Sequence, residues 1–460
     1  MNQDITSYDL NKLSKLIKNK IISPNELLDE YLKNISSKNK QINAIVTISE
    51  NAKSDAKQAE NEICNGKYLG PFHGIPFTIK DCIDTKNLTT TRGSNIFSEY
   101  VPKTDSTVVK RLKKAGGILL GKTNLPEFAF SWETNNIIFG KTNHPNNFLL
   151  TPGGSSGGEA AAIASNFSPI GVGSDLGGSV REPANYCGLI GFKPSHGLIP
   201  LTGHWPEMLL RFQHIGPIAK SVKDIDTFMI NISGPDQFDQ YSLGKPRYQS
   251  YINSKFKKLK IAWCNDGPFI PIDPQIQDTI AKAANYIKNC GHSSTKVSLD
   301  SLQKFNPLEI SKIVYTVESQ LYFKKIVSNK INLLSKQISE RLDTPIPNLN
   351  DYIKSINQIE KLRSWFTKFF SEYDILLCPT GPVTAHPHEA QNLNVNGKLI
   401  HPRNALRDTV PFNLTGLPAL TIPFNLHTNS LPIGVQIIGG YMNDTTVLKT
   451  AEILESHTKI

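Results

Sequence analysis

Two glycine-bracketed serine turns and one lysine hold the residue types from which acyl-transfer chemistry can be built. The first turn is Gly153-Gly154-Ser155-Ser156-Gly157-Gly158, and the second is Gly173-Ser174-Asp175-Leu176-Gly177-Gly178-Ser179. The lysine is Lys80, near the end of Gly74-Ile75-Pro76-Phe77-Thr78-Ile79-Lys80-Asp81. Glycine has no Cβ, so it lets the chain take turns closed to other residues and brings backbone amides close to a ligand. A serine in such a turn offers a hydroxyl beside a ring of backbone N–H groups, which together supply a nucleophile and donors for a developing oxyanion. On this ground alone either serine site can be the nucleophile.

A lysine followed by an aspartate is ordinarily a surface ion pair. At the end of an apolar strand it is a different object, because burial lowers a lysine's pKa. Bringing the amine from about 10.4 to neutrality costs about 4–5 kcal/mol, which a fold tolerates where partners hold the neutral form. The glycine-serine loop is not a phosphate cradle: the pattern Gly-x-x-x-x-Gly-Lys-Ser/Thr is absent, and Glu159 follows Gly158 where its charge would oppose a phosphate. Nor does it read as a flexible linker, since it runs straight into the alanine-rich segment 160–164. None of the eleven histidines lies in a sharp serine turn, and His386-Pro387-His388 sits in a proline-rich loop. A metal site built from His386, His388 and His401 is disfavoured, so serine's base is sought in Lys80.

The elements that must position these groups can be read from periodicity. Residues 6–65 read as helical, with cap-like starts at Ser7 and Ser23 followed by apolar spacing near 3.6. A helix from Ser106 to Ala115 passes through Gly116-Gly117 into a strand at 118–120. The same order is expected for helix 157–166 with strand 169–173, helix 273–289 with a strand near 295–299, and helix 352–371 with strand 374–379. This alternation predicts an α/β fold: a large mixed, mostly parallel twisted sheet covered by helices on both faces. A soft boundary is expected at 231–258, and the lysine-rich segment 300–370 reads as a helical insertion over one face. Overall a single compact domain is expected, with an N-terminal helical segment (1–65) packed on a core of 66–460.

Composition fits an ordinary globular chain: 460 residues, 39% hydrophobic and 20% charged. The net charge of +10 comes from scattered lysines. Short runs such as Lys255-Phe256-Lys257-Lys258 lack interleaved aromatic or arginine platforms, so a solvated basic surface is preferred to direct nucleic-acid binding. The six cysteines are far apart with no Cys-x-x-Cys pair, as expected of free thiols in a reducing compartment. No basic, then apolar, leader opens the sequence and no run reaches the roughly 18 apolar residues that span a bilayer. A cytoplasmic protein without stable membrane insertion is expected.

Taken together these segments resemble the amidase signature family of serine–serine–lysine amide hydrolases. The resemblance covers Thr151 to Glu159, Gly173 to Pro183, Cys187-Gly-Leu-Ile-Gly-Phe-Lys-Pro194, the upstream Gly74–Asp81, His214-Ile-Gly-Pro217 with Asp224, and Leu431 to Gly439. It implies Ser179 as nucleophile, Ser155 as bridging acid/base after a cis Gly154–Ser155 peptide, and Lys80 as the ultimate base. It also implies an oxyanion hole from the amides of Leu176, Gly177, Gly178 and Ser179. Asp175 and Arg181 are expected to be buried scaffolding, Ser156 to position the loop, and Glu159 to be a first-turn charge favourable at a helix N-terminus. No metal or organic cofactor is implied. The product of such a site is an acid plus ammonia or an amine, from a small-molecule amide.

Three functions fit these residues. The first is a stand-alone amide hydrolase with a substrate pocket furnished by Phe128, Phe130, Trp132 and Trp205, which would favour a hydrophobic acyl group; a homodimer is left open. The second is the glutamine-hydrolysing component of an aminoacyl-tRNA amidotransferase, its A subunit, which would need partner chains. That component typically carries Ser-Ser-Leu-Asp-Gln before Ile-Gly-Pro, where this chain has Leu210-Arg211-Phe212-Gln213-His214, and serine where this chain has Glu159. The third, an inactive interaction module, is disfavoured by the presence of Lys80, Ser155 and Ser179.

Overall fold

The computed structural model describes residues 4–253, 258–266 and 271–457; the basic run at 255–258 lies largely outside them. Its strands are β1 (Ile45–Ile48), β2 (Pro76–Lys80), β3 (Ile118–Thr123), β4 (Ile170–Asp175), β5 (Ile190–Lys193), β6 (His214–Ala219), β7 (Lys260–Trp263), β8 (Ser293–Lys296) and β9 (Ile375–Pro379). They continue with β10 (Leu393–Val395), β11 (Lys398–Ile400), β12 (Ala419–Leu426) and β13 (Pro432–Gly439). Eleven of them form one sheet in the order β1-β3-β2-β4-β6-β5-β12-β13-β9-β7-β8, while β10 and β11 make a separate hairpin.

The sheet is mixed and helix-covered, as the alternation of elements predicts, but it is not mostly parallel. Four pairings are parallel (β2 with β3 and β4, β7 with β8 and β9) and six are antiparallel. The reason is local. The short link between β12 and β13 can only return the chain antiparallel, whereas parallel neighbours need a crossover. A second correction concerns 6–65, which is not wholly helical. Asn43 turns the chain with a positive φ of 57°, and Ile45-Val46-Thr47-Ile48, all β-branched, then pairs antiparallel with β3.

The expected helices form close to the expected places: Thr107–Lys114, Gly157–Ala164, Pro274–Asn289 and Leu349–Glu372. Their starts follow capping chemistry. Ser23 and Glu26 form a reciprocal capping box for Pro24–Ile42, and Ser106 caps Thr107–Lys114. The 300–370 segment folds as the helices Pro307–Val327, Lys336–Asp343 and Leu349–Glu372. A main core joins the N-terminal helices, through Leu10, Leu27 and Tyr31, to the sheet, through Phe77, Val172 and Ile437. A second cluster packs the 300–370 helices against Phe128, Trp205 and Phe412. No described helix is long and apolar enough to cross a membrane.

Candidate active site

β2 lies between β3 and β4, with all five residues buried, so Lys80 ends a strand from which water is excluded. Its Nζ donates to Ser155 Oγ at 2.6 Å and to Ser174 Oγ at 3.1 Å. Burial brings the Lys80 pKa down to about 8, against the opposing pull of Cys82, Asp175 and Glu159. The amine is therefore close to the protonation state a base needs.

The two serine turns are laced together. The Gly154–Ser155 peptide is cis. Ser156 N donates to Ser179 O at 3.1 Å. Ser156 Oγ bonds both the N–H and the carbonyl of Ser174 at 3.3 Å. Glycine is required on both sides of this lacing by close approach: a Cβ on Gly158 would stand 2.3 Å from Asn124 O, and one on Gly173 would stand 2.7 Å from Ser156 Oγ. Ser155 and Ser156 are buried, whereas Ser179 is only partly so. Of the two candidate nucleophile sites, Ser179 is the one that faces a pocket.

Asp175 fixes the second turn. Its carboxylate accepts from Gly178 N (2.7 Å) and Val180 N (3.2 Å) and is gripped by Arg181 through two bonds of 3.0 Å. Burial opposes its ionisation, yet Arg181 holds the carboxyl well below the usual range. Arg181 continues to Gln436 Oε1 and Asn413 Oδ1. The Gly178 N–H is thus committed to Asp175, and the expected oxyanion donors narrow to the N–H groups of Leu176, Gly177 and Ser179. None of these three has a protein acceptor among the described residues. The carbonyls of the same turn are tied back: Leu176 O accepts from Tyr315 Oη (2.9 Å) and Gly177 O from Thr409 Oγ1 (2.6 Å).

Ser179 opens into a small pocket of about 70 Å³ whose walls include Phe130, Trp132, Tyr315, Arg341 and Arg403. A wider cleft of about 820 Å³ shares Ser131 and Trp132 with it. Of the four aromatics expected to furnish a pocket, Phe130 and Trp132 line it. Phe128 and Trp205 stand outside its lining: Phe128 stacks on Phe323 at 4.8 Å and meets Trp205 edge-on at 5.2 Å. They are core that backs the wall.

Tyr315, Arg341 and Arg403 were not foreseen, because no motif surrounds them in the chain. Arg341 lies 3.7 Å from the Phe130 ring centroid and donates to Phe130 O at 3.3 Å. Burial and the neighbouring Arg403 lower its pKa to about 9. Arg403 donates to Ser311 Oγ at 3.2 Å, and burial lowers its pKa too, against Glu309. Neither guanidinium forms an ion pair with a carboxylate among the described residues. The pocket lining holds these two cations and no acid, Glu309 acting on Arg403 from outside it, an arrangement able to receive an anion beside the candidate nucleophile.

The remaining acids and histidines also have definite places. Glu159 stands in the first turn of its helix, as expected, but is fully buried rather than solvated. Glu182 accepts from Gly154 N at 3.3 Å, and burial pushes it up to about 8. His386, His388 and His401 serve different partners, Pro387 O, Thr142 O and Arg403 N. Among the described residues, no group of three or more His, Cys, Asp or Glu is placed to hold a metal ion.

The model of the Amidase family matches residues 26–448. The A subunit of glutamyl-tRNA(Gln) amidotransferase from Halothermothrix orenii is 33% identical, with 97% of each chain covered. The solved structure of the corresponding chain from Thermotoga maritima superposes with a TM-score of 0.78 at 29% identity, covering 100% of this chain and 96% of that one. A chain from a vestigial protein complex that reveals the evolutionary origins of an s-triazine catabolic enzyme superposes with a TM-score of 0.92 at 26% identity, with 98% of each chain covered.

Proposed function

This chain belongs to the Amidase family, and from that premise we propose that it hydrolyses a small carboxamide whose acyl part carries a carboxylate, with glutamine the first substrate to test. The observation that carries this reading is the pocket itself. Ser179 and the unpaired guanidinium groups of Arg341 and Arg403 share one lining.

In the proposed reaction neutral Lys80 accepts the Ser155 proton while Ser155 Oγ takes the proton of Ser179. Ser179 Oγ attacks the amide carbonyl, and the N–H groups of Leu176, Gly177 and Ser179 receive the oxyanion. Ser155, recharged by Lys80, protonates the departing nitrogen, and ammonia leaves as the acyl-enzyme forms. A water molecule then gives its proton to the same relay and its oxygen to the acyl carbon, releasing the acid and restoring Ser179. The balance is amide plus water to acid plus ammonia, and the protein's own groups suffice for each step. The contact of Lys80 with Ser155 supports the relay. Asp175, Arg181 and Ser156 hold the two turns in register without entering the proton path.

The similarity to the amidotransferase chains favours glutamine and a partner-bound protein over the stand-alone hydrolase. The segment Leu210–His214 departs from their pattern, and here Arg211 is taken up by Glu318 while Phe212 packs on Tyr315 at 6.0 Å. The chain that superposes with a TM-score of 0.92 also comes from a protein complex, which supports a partner-bound protein as well. Ammonia release separates the readings. Glutamine-dependent release that rises when partner proteins co-purify supports the amidotransferase component. Release from neutral aryl or alkyl amides by the isolated chain, with none from glutamine, overturns it. A chain never labelled by a fluorophosphonate at Ser179 overturns the enzyme reading altogether.

A further inference from the structure

The turn that carries Ser179 can aim its amides only where its peptide planes are held. In a trans peptide the C=O and the following N–H point in opposite directions, and among the described residues only Gly154–Ser155 and Trp205–Pro206 are cis. A donor on one carbonyl of the turn therefore aims the next N–H the other way. The Gly177–Gly178 plane is held from both sides: Thr409 Oγ1 donates to Gly177 O at 2.6 Å, and Gly178 N donates to Asp175 Oδ1 at 2.7 Å. Asp175 O, ahead of the Leu176 N–H, accepts from Asn413 Nδ2 at 2.9 Å. Gly178 O, ahead of the Ser179 N–H, accepts from Glu182 N at 2.7 Å.

The Leu176–Gly177 plane has a single hold. Among the described residues, Leu176 O accepts from Tyr315 Oη alone, at 2.9 Å. Packing does not replace that bond: a Cβ on Gly177 would meet nothing nearer than Val410 Cγ2 at 3.5 Å, whereas one on Gly178 would stand 2.4 Å from Thr409 Oγ1. A glycine with such space around it leaves its peptide plane free to rotate unless a hydrogen bond stops it. Tyr315 is placed to do so. Its hydroxyl stays protonated, since burial and then the Asp175 charge push its pKa up. Its helix, Pro307–Val327, is pinned on the same face to either side of it. Ser311, four residues before, accepts from Arg403 at 3.2 Å, and Glu318, three residues after, pairs with Arg211. The Tyr315 ring packs on Phe212 and lines the pocket of Ser179.

We propose that Tyr315 is a positioning residue for the oxyanion hole: by holding Leu176 O, it fixes the Gly177 N–H on the side where the oxyanion forms. The proposal rests on Ser179 being the nucleophile. It gives the inserted segment 300–370 a part in the chemistry as well as in the pocket wall. A donor fixed in advance differs from solvent because it needs no reorganisation as charge develops. Removing a whole oxyanion donor slows a reaction by about 10²- to 10³-fold, and a donor that is present but no longer aimed loses part of that.

The test is the rate of Ser179 labelling by two fluorophosphonates, one methyl and one long-chain, followed by intact mass. Ser179 Oγ bonds phosphorus, fluoride leaves and the hydroxyl proton passes to Ser155, so the phosphonyl oxygen takes the place of the oxyanion without a known substrate. Tyr315→Phe deletes the donor and keeps the ring. Both probes are expected to label it about 10- to 100-fold more slowly than wild type, by the same factor. The acid limb of the pH profile should stay in place, because Lys80 and Ser155 are untouched. A rate within about twofold of wild type overturns the proposal. So do unequal losses, which mark a residue that only shapes the wall, and a shifted acid limb, which marks an effect on the relay. Should Y315F fail to fold, a crystal structure of the wild-type methylphosphonyl adduct decides. Gly177 N within about 2.7–3.1 Å of the phosphonyl oxygen, with Tyr315 Oη still on Leu176 O, supports the proposal. Absence of that contact, or a hydroxyl moved from Leu176 to the adduct, overturns it. A wild-type chain that is never labelled removes the nucleophile beneath the proposal; a labelled wild type with an undiminished Y315F removes only the role of Tyr315.

Discussion

The guanidinium of Arg341 lies 3.7 Å from the Phe130 ring centroid, and both belong to the wall of the pocket that exposes Ser179. The ring covers one face of the cation, and the neighbouring Arg403 repels it. A carboxylate in this pocket would therefore meet a charge that has no competing acid.

Arg341→Met and Arg403→Met are expected to raise KM for a carboxylate-bearing amide by about 10- to 100-fold each, because a charge-assisted hydrogen bond contributes about 1.5–3 kcal/mol. Turnover at saturation should change far less, and neutral amides should bind as well as before or better. Steady-state kinetics on glutamine and on an uncharged amide of similar size measure this. An equal loss on both substrates would remove the carboxylate from the proposal.

The pH profile follows from Lys80. With its pKa lowered to about 8 by burial, acyl-enzyme formation should rise about tenfold per pH unit up to that value and level off above it. Lys80→Ala or Ser155→Ala should lower kcat/KM by about 10²- to 10⁴-fold. A profile already flat from pH 6 to 9 would contradict a lysine base.

Lys80 should also cost stability. Its folded pKa of about 8 lies below the ordinary 10.5, so burying the charged form costs up to about 3 kcal/mol at neutral pH. For a lysine lowered on folding, this cost is complete below the folded value and vanishes as pH rises through 10.5. Lys80→Met should therefore raise Tm at pH 7 while abolishing activity, with the gain disappearing near the ordinary lysine pKa. A Tm that falls at pH 7 would mean the bonds to Ser155 and Ser174 outweigh the desolvation they offset.

Gly158→Ala tests the close approach that sets the first turn. The added Cβ would meet Asn124 O, N and C at 2.3, 2.5 and 2.9 Å, all backbone atoms that cannot swing aside. A loss of about 3 kcal/mol is expected, as for overpacking of a core. Chemical denaturation reads it, and a change below about 0.5 kcal/mol would show that the turn yields.

Lys80, Ser155 and Ser179 were legible as a group because each sits in a short segment whose conformation is written locally. Glycines permit close turns at both serines, and an apolar run ending in lysine demands a buried amine with partners. The helices were legible for the same reason, since caps and a 3.6-residue period act within one turn of chain. Strand direction was not: the link between β12 and β13 and the return of β6 between β4 and β5 depend on which strands meet.

What the sequence determined by itself was the inventory of reacting groups and the turns that present them. Only the tertiary structure decided which donor in the second turn was already taken, by setting Asp175 against Gly178 N. It alone buried Glu159 in the sheet's covering layer, held by threonines on two strands beside a gap on a third. And it alone brought Arg341 and Arg403, from outside every motif, into one pocket lining with Ser179 that holds no acid. The physical reason is common to all three. A hydrogen bond consumed or an ion left unpaired is a property of what surrounds a group after folding, and those surroundings come from segments far apart in the chain.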